Sequence, residues 1–405
     1  MARSRAVYGR HAVVLSAVCL AACIPPERAV AGALDNSFVG TRAIAMAGAF
    51  TGIASDASAV YFNPAGLAFL ERDATHFEVY GYLSLTKFTY ENAGALFESN
   101  EKFPVPGLFA ARRFDRFALG FGYYIPFGGG GTAYQDFMGT DIELKSAAGI
   151  QAFTASAAYA ITPSLSVGGG ATLYVGVVDT RAPQTISQPV PALVDYESEY
   201  DGRSGYGWNL GLLYKATDAL SVGVSVISPT SVRMEGEERV RIEAFGADAT
   251  SDSDIELGTP WYVTAGLGYR LHPGLTLGLS AAWMSWSKED EVIIGHGGTA
   301  ESTRVPTNYK NSYRVSVGLE YAASKKLALR AGLKYQPGAT EDEYLIPSAN
   351  DVDLVVASLG IGYRVGKSLE LDLAAFFVNG RRTTHGQESF DQDHVMVAAG
   401  VRWGP

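Results

Sequence analysis

From Thr75 onward the chain alternates apolar and polar side chains in short runs. Phe77, Val79, Leu83 and Leu85 share one parity, while His76, Glu78, Tyr80, Tyr82 and Ser84 share the other, the two-residue period of a strand wetted on one side. In the same way Phe117, Leu119, Phe121 and Tyr123 oppose Ala118, Gly120 and Gly122, and Leu371, Leu373 and Phe377 oppose Glu370 and Asp372. A charge facing lipid at mid-depth costs about 2–4 kcal/mol. The apolar parity therefore faces a membrane, and the charged parity faces an interior.

This grammar predicts strands at Thr75 to Tyr90, Val105 to Ala111, Phe117 to Tyr124, Gln151 to Ile161, Leu165 to Val178, Tyr206 to Lys215, Leu220 to Met234, Trp261 to Arg270, Leu275 to Trp286, Ser312 to Ala322, Leu327 to Gln336, Val352 to Val365, Leu369 to Asn379 and Asp393 to Trp403. Their even number, fourteen, suits a single-chain antiparallel transmembrane β-barrel. Short turns such as Thr162-Pro163-Ser164 alternate with long loops at Ile125 to Ile150, Asp179 to Gly205, Glu235 to Pro260 and Ser287 to Asn311. That sorting puts the turns and both termini in the periplasm and the loops outside. Tyr159, Tyr214, Tyr269, Tyr321, Tyr363 and Trp403 end outward runs near the turns and form a periplasmic aromatic girdle.

One stretch breaks the pattern. Gly40 to Leu70 is rich in Ala and Gly, nearly uncharged, and shows neither strand alternation nor a long helical period. It cannot bury a core alone, and a fourteen-strand barrel has a lumen to fill. The organisation expected is thus an N-terminal plug over residues 32–73 inside a barrel over residues 74–405. Gly48, Phe50 and Tyr61 are expected to pack in the barrel mouth, and Asn63-Pro64-Ala65 to turn, since Pro64 restricts itself and the residue before it. Residues 1–31 read as a secretory signal: Arg3, Arg5 and Arg10 precede the apolar run Ala12 to Ile24. Cleavage after Ala29-Val30-Ala31 leaves a mature chain without cysteine, whereas Leu20-Ala21-Ala22-Cys23 fits a lipoprotein signal that would lipidate Cys23.

The net charge of −10 argues against nucleic acid as a partner. No catalytic constellation stands out: the six histidines lack metal-ligand spacing, no serine sits in a Gly-x-Ser-x-Gly elbow, and Gly128 to Gly131 is followed by no Gly-Lys-Ser/Thr. Neither cofactor nor metal is expected. Gly122, Pro126 and Gly128 instead permit a bend where the third strand emerges; a flexible loop start is the alternative. Arg314, Arg330 and Lys334 fall on the interior parity, where each would either meet a substrate carboxylate or pair with Glu320, Glu370 or Asp372 to hold the wall. In the second long loop Phe127, Tyr134, Phe137 and Met138 form either an apolar landing site or a self-packed cap.

Gly40-Thr41-Arg42, Met46-Ala47-Gly48-Ala49-Phe50 and Asp56 to Ala65 together resemble the N-terminal hatch of the FadL-type outer-membrane transporters of long-chain fatty acids and hydrocarbons. Gly120 to Gly128, Tyr206-Gly207-Trp208-Asn209, Ser228-Pro229 and Leu329 to Tyr335 extend the resemblance over nearly the whole mature chain. It implies passive outer-membrane transport of apolar small molecules, a hatch that moves on substrate binding, and a kink in the third strand that opens the wall to the outer leaflet. The implied surroundings are outer-membrane lipid and lipopolysaccharide, and the implied state is a monomer. A structural or secretion-accessory barrel that docks exported proteins is the alternative, and a continuous apolar channel with a wall gap separates the two. Gly404-Pro405 after Trp403 departs from an aromatic chain end.

Overall fold

A computed structural model of the chain describes residues 35–92, 95–137, 140–181, 184–186, 192–289, 291–296, 302–345, 351–384 and 388–404. The expected signal segment, Cys23 and Met138 lie outside these residues.

One antiparallel sheet closes on itself. β1 (Thr75–Asn92) pairs along its length with β2 (Ala95–Phe114) and, on its other side, with β19 (Ser389–Trp403), from Phe77 opposite Trp403 to Glu91 opposite Ser389. Between them run β3 (Phe117–Phe137), β4 (Thr140–Ala160), β5 (Leu165–Arg181), the short β6 (Gln184–Ile186), β7 (Ala192–Lys215), β8 (Leu220–Ile227), β9 (Thr230–Ile242), β10 (Ala247–Thr259), β11 (Tyr262–His272), β12 (Leu275–Met284), β13 (Glu291–His296), β14 (Ser302–Pro306), β15 (Ser312–Ala322), β16 (Leu327–Gln336), β17 (Asp353–Val365) and β18 (Leu369–Thr383). The wall has fourteen strands, because β5 continues as β6, β8 as β9, β10 as β11, β12 as β13 and β14 as β15. Pro229 and Pro260, which have no N–H to donate, stand at two of those breaks.

Outward parity holds throughout. Phe77, Val79, Leu83, Leu85, Leu371, Leu373 and Phe377 are exposed, and so is every member of the proposed girdle. Arg330, Lys334 and Asp372 point inward and are buried. The outer connections differ from the expected loops. β3 and β4 stay paired from Phe127 opposite Ile150 to Phe137 opposite Thr140, and β9 pairs with the outer half of β7 from Val194 opposite Ile242 to Asp201 opposite Glu235. On β9 a buried face with Val232, Met234 and Glu238 alternates with exposed Arg233, Glu235 and Glu237, so the outward side is charged and loses the apolar parity. Cross-strand ion pairs such as Arg181–Asp195 (2.9 Å) and Arg239–Asp248 (2.6 Å) replace it.

Residues 35–70 run inside the cylinder as two short helices, Thr41–Ile44 and Ala59–Phe62, and a 3-10 turn, Pro64–Phe69. The barrel makes room for them with glycine. A Cβ on Gly332 would lie 2.4 Å from the Met46 carbonyl carbon, and one on Gly168 2.5 Å from that of Pro64. These glycines on the inward face are thus where the inner segment meets the wall. Phe50 and Gly48 sit in the periplasmic half rather than at the outer mouth: the neighbouring Ala49 carbonyl approaches Gly278, close to the turn that starts β12.

Candidate functional site

The chain enters the lumen against an unpaired strand edge. β2 and β3 are joined only from Phe114 opposite Phe117 to Leu108 opposite Tyr123. Beyond that point β2 stays paired to β1 and β3 to β4, but no rung joins β2 to β3 among the described residues. Six residue steps of a tilted strand put the opening roughly 15 Å above the periplasmic rim, inside an apolar band about 25 Å tall. Pro104 and Pro106 explain the unpaired edge. The register with β1 passes through both without a break, so the donors they lack are those that would face β3. On the opposite edge the register slips between Tyr124 and Phe127, at Ile125-Pro126.

The first described residues cover this gap from inside. Asp35 forms an antiparallel bridge with Phe127, the Asn36 amide donates to the Pro126 carbonyl (2.8 Å), and Asn36 Nδ2 donates to that of Ile125 (2.8 Å). Tyr82 Oη donates to Asn36 Oδ1 (2.8 Å), and Phe38 stacks on Phe376 at 4.4 Å.

The three lumen cations separate here. Arg330, with its side chain 2% exposed, is fully engaged by carboxylates: Nε meets Glu320 (2.6 Å), Nη2 meets Glu370 (3.0 Å) and Nη1 meets Asp372. Of the two sequence readings, the structure realises the wall-holding one, because Gly362 leaves room for the guanidinium to reach across β17 to β18. Arg314 pairs with Asp35 at 3.2 Å. Lys334 is buried, donates to Ser37 Oγ (3.0 Å) and lies 3.9 Å from the Phe38 ring centre. No carboxylate lies within ion-pair distance of it among the described residues. A cation–π contact recovers about 2 kcal/mol at best, against several for desolvating an ammonium, so Lys334 is left electrostatically short of an anion. Ser316 opposes Lys334 across the β15–β16 pair, which makes Arg314 its diagonal neighbour on the lumen face.

Beside Arg314 a small cavity of about 30 Å3 separates the inner segment from the wall, lined by Ser37, Gly48, Thr51, Tyr61 and Tyr262 among others. Gly48 reaches it with φ of 78°, a conformation that favours glycine. Burial pushes the Tyr61 hydroxyl up to about 12, so this ring stays neutral. Phe50 packs edge-on to Phe62 at 5.3 Å. Asn63 is fully buried: Nδ2 donates to the Thr51 (3.1 Å) and Leu212 (3.0 Å) carbonyls, and Oδ1 accepts from the Ala65 amide (3.2 Å). Asn63→Ala would strand both carbonyls, at about 1–3 kcal/mol for each buried group left unpaired. The expected result is increased permeability to small hydrophilic solutes in liposome swelling; a swelling rate equal to wild type would contradict that role.

The remaining sequence candidates fall in different places. Gly122 is in register on both sides and makes way for Phe109, 2.6 Å from where its Cβ would stand, so it is no part of the bend. Gly128 is also back in register, opposite Gly149. Only Pro126 stands at the slip. Phe127 points inward and contacts Tyr262 and Trp286 at 6.0 and 6.4 Å. Tyr134 and Phe137 lie along the extended β3 hairpin. Asp35, Ser37, Phe38 and Gln336 escaped the sequence reading; Pro104-Val105-Pro106 was a readable signal, since proline inside a strand marks an edge.

A closed fourteen-strand wall, apolar outside and carrying an inner segment, defines an outer-membrane barrel. A family model described as outer membrane protein transport protein (OMPP1/FadL/TodX) matches residues 26–401, and the chain belongs to that family. Outer membrane protein P1 of Haemophilus influenzae is 26% identical over 180 residues, 44% of this chain and 39% of that protein. A long-chain fatty acid transport protein of Escherichia coli is 24% identical over 215 residues, 49% and 48% of the two chains. The matched part thus spans less than half of these curated relatives. Among solved structures, the Pseudomonas putida toluene transporter TodX superposes with a TM-score of 0.75 at 20% identity, covering 92% of this chain and 98% of that one. A Pseudomonas aeruginosa FadL homologue gives 0.76 at 19%, covering 90% and 98%. These last two likenesses concern the fold.

Proposed function

We propose that this protein passively carries apolar small molecules, long-chain carboxylic acids among them, across the outer membrane, releasing them sideways through the β2–β3 gap. The observation that carries this reading is the gap itself, opened at bilayer depth and covered from inside by residues 35–38. A barrel that merely docked exported proteins would have no use for it. Relatives named for long-chain fatty acids and for toluene bracket the substrate class. Tyr134, Phe137 and Met138 serve as the apolar landing surface, and the tail then follows the aromatic inner wall past the buried Phe127. Lys334, with Arg314 beside it, receives the carboxylate; Arg330 does not take part. The plug body, pinned by Asn63 and the glycine seat, acts as a hatch whose moving part is its first few residues. The chain works as a monomer in outer-membrane lipid and lipopolysaccharide.

Uptake by proteoliposomes of a labelled fatty acid, against a hydrocarbon of matched length, tests this reading. Wild type takes up both. Lys334→Met loses at least about tenfold in acid uptake, the size of one charge-assisted hydrogen bond, and keeps hydrocarbon uptake. Uptake of neither compound above protein-free liposomes would defeat the proposal.

A further inference from the structure

We propose that Asp35 is a tethered carboxylate that occupies the anion subsite of the lumen and competes with acidic substrates for it. This rests on the transport reading above and adds an internal competitor to it. The Asp35 side chain is 1% exposed, and its Oδ2 accepts from both Arg314 Nη1 (3.2 Å) and Gln336 Nε2 (2.8 Å). Two residues on, Ser37 supplies the hydrogen bond to Lys334. The same short stretch of chain therefore holds one cation by charge and the other by a hydroxyl. Arg314 and Lys334 are two basic side chains in one buried subsite, and Asp35 is the one carboxylate within ion-pair distance of either among the described residues. The subsite is one anion short, so it accepts a carboxylate, yet the anion already present repels it. An arriving acid takes Lys334 from Ser37 and Arg314 from Asp35, and since Asp35 also bridges Phe127, the exchange loosens the cover of the wall gap. A neutral molecule does not engage Arg314 by charge, so its binding is indifferent to the charge of Asp35.

The test is binding of a fluorescent long-chain carboxylic acid and of the alcohol of equal length to the full protein in nanodiscs. Asp35→Asn keeps the side-chain shape and removes the charge. Acid affinity rises about tenfold, as expected for removal of one charge-assisted contact with a guanidinium, and alcohol affinity does not move. Gln336→Leu, which removes only the second partner of Asp35, shifts acid affinity in the same direction by less, and decides the matter if Asp35→Asn does not assemble. Unchanged or weaker acid binding in the variants overturns the inference while leaving transport intact. Failure of wild type to bind either compound overturns both.

Discussion

Arg330→Met is expected to destabilise the barrel by about 3 kcal/mol, the lower end of the range for breaking a buried ion pair from one side. The substitution leaves Glu320, Glu370 and Asp372 near the periplasmic rim without the guanidinium that touches all three. Arg402 still meets Glu370 and Asp372, at 2.5 and 2.6 Å, and Arg42 of the plug still meets Glu320 at 2.7 Å. Their presence is why the cost stays at the low end. The network also ties the inner segment to the wall, through Arg42 on Glu320 and through Arg402 on Asp56 at 4.0 Å. A lower denaturant midpoint in detergent should therefore come with higher solute leakage, while the preference for acid over hydrocarbon stays as in wild type. If Arg330 were instead the carboxylate receptor, acid uptake would fall and the midpoint would hold.

That contrast shows what a single sequence reveals. Parity is local, so the inward direction of Arg314, Arg330 and Lys334 was legible from neighbours two residues away. Their partners were not. Glu320 opposes Arg330 directly, but Asp372 lies two strands away and is reached over Gly360 and Gly362, which depends on registers the chain does not spell out. Strand positions near the periplasm were legible for a related reason. There the lipid enforces alternation up to a short turn, and Ser312–Ala322 and Leu327–Gln336 agree with their predicted bounds at both ends. Beyond the outer leaflet that constraint stops, and β9 past Met234, β10 and the outer halves of β3 and β4 look like loops. Gly40 to Leu70 stood apart by its failure to alternate, but the placement of Asp35 against Arg314 needs the third dimension.

The second large effect concerns the wall. If substrate leaves between β2 and β3, tying the two strands together abolishes transport without touching the lumen. Continuing the register past Leu108 opposite Tyr123 would place Pro106 across from Ile125. Neither side chain is buried, so cysteines there point away from the plug. The native cysteines, Cys19 and Cys23, both lie in the expected signal segment. The tie adds no charge and removes no buried contact, and the lumen cations, the Asn63 anchor and the ionic network keep their partners. A loss of flux would therefore report on the exit path alone.

Fatty-acid uptake should be measured in proteoliposomes carrying Pro106→Cys with Ile125→Cys, before and after bridging by a short reducible thiol reagent, and again after reduction. Flux that falls to the protein-free level on bridging and returns on reduction is the predicted result. Flux that continues undiminished through a fully bridged wall would contradict a lateral path.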